Sequence, residues 1–127
     1  MHTFDDLIDV VAKLRDEKGG CPWDREQTFD SLKQYLLNES QEVIEAVDKH
    51  DMNNLCEELG DVLFHVVFYS QLGREKGIFS IEDVIDGICR KMIYRHPHVF
   101  GGLKIDSVKE CNDLWKELKK REKGKKP

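Results

Sequence analysis

The residues best suited to chemistry lie between Leu32 and Leu72, and they are acids. On the first of two amphipathic stretches, Leu32, Tyr35, Leu36, Val43 and Ala46 recur at helical spacing, with Glu39 and Glu42 in the same stripe. On the second, Leu55, Leu59, Val62, Val66, Tyr69 and Leu72 form the stripe, with Glu58, Asp61 and His65 in or beside it. Spacings of three and four place residues on one helix face. Two helices therefore present two carboxylate pairs toward a shared interior. Buried carboxylates are costly unless they are paired with positive charge or a metal, and a cluster of them repels itself and takes up protons. Neither stripe contains Lys or Arg. An all-oxygen carboxylate set suits a hard divalent cation, magnesium or manganese. The plainer alternative places these acids at the stripe edges, solvated, as helical glutamates usually are. Two acid pairs on consecutive amphipathic helices weigh against it.

A basic side accompanies the acids. Lys91 and Arg95 are four apart and share a helix face. Cations are favoured at a helix C-terminus by the dipole alone. Beside a carboxylate cluster they gain a second meaning, because Lys and Arg hold phosphate oxygens. Acids and bases together describe a site for a metal-bound polyphosphate. His96 and His98 have no third ligand at sensible spacing, which favours a structural turn over zinc. His65, one turn past Asp61, reads as a buried or supporting histidine. Trp23 either plugs the core at a helix junction or stacks on a ligand.

These residues need helices to position them. The first is predicted over Thr3–Lys18, stopped by Gly19 and Gly20. A loop, Cys21–Asp24, leads to a second helix that starts near Gln27 to Asp30 and ends near His50. The third starts at Asp51 and ends at Gly73 or Gly77; Gly60 inside it suggests close approach by another backbone or a ligand. The fourth is capped by Ser80, carries Val84, Ile85, Ile88, Cys89 and Met92 on its inner face, and ends before Pro97. A loop over 96–102 precedes the last helix, which begins near Asp106 or Ser107, includes Trp115, and frays from Lys119. No stretch alternates like a strand, so the chain reads as all-α, a bundle of about five helices.

Length and composition bound the rest. At 127 residues this is one domain, expected over 1–119 with a basic, disordered tail over 120–127. The net charge of -5 argues against stable nucleic-acid binding, although seven Lys or Arg residues crowd Lys116–Lys126. The four cysteines form no CxxC pair, which excludes the common zinc and thioredoxin-like signatures. No apolar run suggests a membrane span, and the acidic start lacks a signal peptide's basic region, so a cytoplasmic protein with reduced cysteines is expected.

Three blocks of sequence resemble the MazG family of nucleoside triphosphate pyrophosphohydrolases. They are Gly20-Cys21-Pro22-Trp23-Asp24 with Gln27-Thr28; Asn38-Glu39-Ser40-Gln41-Glu42 followed by Glu57-Glu58-Leu59-Gly60-Asp61; and Lys91 through Arg95-His96-Pro97-His98-Val99-Phe100-Gly101. The resemblance spans roughly residues 4–119. It implies an all-α bundle whose core and active site are completed by homodimerisation, with a tetramer also compatible. It implies magnesium, with manganese as a possible substitute, held by Glu39, Glu42, Glu58 and Asp61. It implies that Lys91, Arg95 and Lys119 (in a W-x-x-x-K segment with Trp115) contact the phosphates, with Trp23 a candidate for the base. The implied reaction converts a nucleoside triphosphate and water to the monophosphate and diphosphate, removing aberrant or excess nucleotides. Glu39, Glu42, Lys91 and Arg95 are the catalytic candidates. One departure matters: the first Glu of the family's EExxE signature is Asn38 here, which cannot act as a base. The alternative it raises is a nucleotide-binding, dimerising module that has lost turnover.

Overall fold

Thr3 opens the chain's first helix with a reciprocal capping box. Its hydroxyl accepts from the Asp6 amide, and the Asp6 carboxylate accepts from the Thr3 amide. In this computed structural model, which describes residues 1–125 with side chains as far as Lys123, that helix is α1 (Phe4–Leu14). Then follow α2 (Pro22–Glu26), α3 (Lys33–Asp48), α4 (Met52–Glu75), α5 (Ile81–Arg95), α6 (Pro97–Phe100) and α7 (Val108–Lys125). The described residues contain no strand, as the all-α reading expects. Five of the elements are the long helices anticipated from periodicity. The other two, α2 and α6, are single-turn helices where loops were expected, and each has proline in its first turn. No described helix is long and apolar enough to cross a membrane.

The chain divides into two units, residues 1–81 and residues 82 onward, and each is described by itself. In the first, α4 packs against α3 and α1. The core joins Val11, Leu32, Val67, Phe68, Leu72 and Ile81. This differs from the expected stripe on α4, since Leu59 and Val66 are exposed while Val67 and Phe68 are buried. Apolar side chains surround most of α4, so its periodicity does not single out one face. Gly60 has open space around it, so none of the described residues approaches it closely.

Helix ends follow local chemistry. Asp51 caps α4 by accepting from the Asn54 amide. The helix passes through Gly73 and closes at Gly77, whose φ of +68° suits glycine, with the Ile78 amide donating to the Gly73 carbonyl at 2.9 Å. A side chain at Gly73 would meet the Phe79 ring at 2.8 Å. Gly73→Ala is therefore expected to lower stability by about 1–2 kcal/mol, despite alanine's helix propensity, as read from denaturant midpoints. His50 follows α3 with φ +54°. His50→Gly relieves that left-handed strain and is expected to add about 0.5–1 kcal/mol of stability by the same measurement.

In the second unit, α7 continues through Lys125 instead of fraying from Lys119, so residues 120–125 are helical; Lys126 and Pro127 lie outside the described residues. Glu117 pairs with Arg121 one turn on, and Glu122 receives a fork of two hydrogen bonds from Arg95, at 2.9 and 3.3 Å. On α5, Ile81 belongs to the core of the first unit and is the buried residue; Val84, Ile85, Ile88, Cys89 and Met92, expected inside, are exposed on the chain alone.

Candidate metal centre

Helices α3 and α4 deliver the four acids to one place. Oxygen atoms of Glu39, Glu42, Glu58 and Asp61 lie within 4.8 Å of one another. Each pair sits one turn apart on its own helix, and the antiparallel packing of α3 on α4 brings the pairs face to face. Among the described residues, Oε2 of Glu39 and Oε2 of Glu58 are closed off from solvent and have no hydrogen-bond partner. Such orphaned buried acceptors are costly unless a cation or proton satisfies them.

The electrostatics report the same crowding. Burial raises the Glu39 carboxyl above its ordinary range, and the negative charges of Glu42 and Asp61 raise it further. The Glu58 carboxyl is pushed up to about 7, first by side-chain hydrogen bonding with Glu42, then by burial, then by repulsion from Glu42, Asp61 and Glu39. The donor set is all oxygen, negatively charged and partly unsatisfied, which fits a hard divalent cation such as magnesium or manganese. His65, 8% exposed, stands one turn past Asp61 with Nδ1 on the Asp61 carbonyl at 2.9 Å, tying the helix backbone behind that acid. Asn38 is exposed, and its Oδ1 accepts from Gln34 Nε2 at 2.8 Å.

Trp23 is not a core plug. It stands on α2 with 47% of its surface exposed, edge-on to Tyr35 of α3 with ring centroids 5.6 Å apart. Tyr35 is itself 44% exposed and precedes Glu39 by one helical turn. The sequence reading missed what fixes α2: Arg15, which has no local motif to reveal it. From the end of α1, its Nη1 donates to the carbonyls of Asp24 (2.7 Å), Arg25 (3.0 Å) and Gln27 (3.1 Å). Its Nε and Nη2 donate to the two carboxylate oxygens of Glu75 at 3.1 and 2.6 Å.

In the second unit, Arg95, Lys119 and Trp115 do come together. With Met92 and His96 they line a cavity of about 300 Å³. The Trp115 indole N–H donates to the Arg95 carbonyl at 2.7 Å, and His96 stands edge-on to the indole. Lys91 is exposed one turn before Arg95 and does not line the cavity. His98 lies 4.0 Å from Cys111 Sγ, and neither joins a metal cluster among the described residues. All four cysteines are free.

The family model for the MazG nucleotide pyrophosphohydrolase domain matches residues 27–100, which include all four clustered acids. The nucleoside triphosphate pyrophosphohydrolase/pyrophosphatase MazG of Thermotoga maritima is 50% identical over 97% of this chain and 46% of its own length. The nucleoside triphosphate pyrophosphohydrolase of Escherichia coli K12 is 40% identical over 99% of this chain and 48% of its own. The chain thus spans less than half the length of these curated relatives. A crystal structure of a mazG-related protein from Thermotoga maritima superposes with a TM-score of 0.74 at 32% identity, covering 91% of this chain and 98% of that one. With more than half of the sequence inside the family model and the same helical fold in a solved relative, this chain belongs to the MazG nucleotide pyrophosphohydrolase domain family.

Proposed function

We propose that this chain hydrolyses nucleoside triphosphates, ribo- or deoxyribo-, to the monophosphate and diphosphate in a magnesium-dependent reaction. The observation that carries the reading is the carboxylate cluster, four acids within 4.8 Å with two buried oxygens unpartnered. The names of the relatives from Thermotoga maritima and Escherichia coli support the same chemistry. Glu39, Glu42, Glu58 and Asp61 would hold the cation. Bound there, magnesium supplies counter-charge for the phosphates and acidifies water. Glu39 or Glu42 receives the proton from the attacking water. Lys91, Arg95 and Lys119 bind the phosphates and offset the charge that grows on them. Arg95 does so by exchanging its fork on Glu122 for phosphate oxygens. Trp115 and Trp23 are the aromatic contacts for the nucleoside. The proposed place of action is the cytoplasm, on aberrant or excess nucleotides.

The working form is proposed to be a homodimer. The exposed apolar row Val84, Ile85, Ile88 and Met92 on α5 supports a second copy as its cover. Asn38 favours one alternative, a module that binds nucleotides without cleaving them, because it supplies neither charge nor base. A panel of ribo- and deoxyribonucleoside triphosphates, assayed for diphosphate release with magnesium and with EDTA, separates the two. Metal-dependent release supports the hydrolase. No release from any triphosphate, by a folded and metal-binding chain, overturns it in favour of the binding module.

A further inference from the structure

The geometry points to Arg15 as a positioning residue for the nucleoside: through the carbonyls of α2 it holds Trp23 on Tyr35 as a stacking wall one turn from Glu39. This rests on the nucleotide reading above and deepens it. The side chain of Arg15 is 11% exposed, and all its nitrogens donate. The helix has only five residues, so its last carbonyls lack a full continuing turn; beyond the 3.4 Å bond from the Gln27 amide to the Asp24 carbonyl, one guanidinium supplies the donors. Glu75 fixes the other side of the fork, and its carboxyl is held below its ordinary range, first by the hydrogen bonds from Arg15. Gln27 completes the hold, its Nε2 donating to the Trp23 carbonyl at 2.9 Å. The result is a short helix locked at its base with a half-exposed indole at its tip. Exposed aromatic rings held rigidly beside a polyphosphate-type site suit a purine or pyrimidine face.

Lysine cannot reproduce the clamp, because it offers a point charge where five hydrogen bonds leave the three nitrogens of one planar guanidinium. The test is a double-mutant cycle of Arg15→Lys and Trp23→Ala on the whole chain. It reads the Kd of a non-hydrolysable α,β-methylene nucleoside triphosphate and of inorganic tripolyphosphate, both with magnesium. Each single variant is expected to weaken the nucleotide analogue about tenfold, the scale of one base stacking on one aromatic ring. Tripolyphosphate binding is expected to stay within about twofold, since it has no base to stack. In the Trp23→Ala background, Arg15→Lys is expected to cost no further nucleotide affinity, because it acts through the ring already removed. Glu75→Gln, which leaves Arg15 in place, serves in the same cycle should Arg15→Lys fail to fold. Additive losses, or equal weakening of tripolyphosphate, would overturn the positioning role while leaving the nucleotide reading intact. A wild-type chain that binds tripolyphosphate but gains nothing from the nucleoside would overturn it too. A chain that binds neither would bring down both readings.

Discussion

Glu42→Gln is expected to lower metal-dependent diphosphate release by about 10²–10⁴-fold while making the metal-free protein harder to melt. The two effects have one cause. Glu42 belongs to a cluster whose oxygens lie within 4.8 Å of one another, and it is the main reason that Glu58 is pushed up to about 7. Glutamine keeps the volume and a hydrogen-bonding oxygen but removes the charge, so repulsion within the cluster falls. It also removes a ligand and a candidate proton acceptor. Activity and the melting temperature in EDTA at about pH 8 would be followed on the same preparation. A glutamate that merely supported the fold would give the opposite pair, a lower melting temperature with activity per folded molecule retained. That outcome would remove Glu42 from the centre.

The second large effect is in pH. Glu58 has an ordinary value of 4.5 and a folded value of about 7, so between the two the folded state binds more protons than the unfolded. Its contribution to stability is fully present below about pH 4.5 and is lost as pH rises through about 7. Glu39, raised in the same direction by burial, adds to the trend. Without metal, then, the chain is expected to lose this part of its stability from mildly acidic to neutral pH. A divalent cation competes with protons for the same oxygens, so it stabilises more at higher pH. Melting curves with magnesium and with EDTA at about pH 5 and about pH 8 check this. The magnesium-induced rise in melting temperature should be clearly larger at the higher pH; an equal or smaller rise would contradict the clustered, proton-holding site.

The acidic centre was legible because its signal is local: Glu39 with Glu42, and Glu58 with Asp61, are set by spacing along single helices. The core of the first unit was less so. With apolar residues at 62–64, 66–69 and 72, α4 offers several faces, and only packing chose the one with Phe68 over the one with Val66. The turns α2 and α6 are too short for periodicity, although Pro22 and Pro97 at their starts were signals that a first helical turn carries. The apolar face of α5 was expected inside and is exposed instead, because periodicity marks a face as apolar without saying what covers it. Arg15 lay beyond reach for a different reason. Its acceptors are nine to twelve residues away on one side and sixty on the other, a spacing with no periodic signature.

Whether the α3–α4 carboxylates hold a metal is read from a titration of the metal-free protein with Mn²⁺, followed by the loss of the free ion's electron paramagnetic resonance signal at about pH 8. Saturable binding by the wild-type chain is expected, and it disappears in Asp61→Asn and in Glu39→Gln. Displacement of the ion by magnesium is expected too. Unchanged Mn²⁺ binding in both variants would place the metal elsewhere and contradict the assignment of the α3–α4 carboxylates.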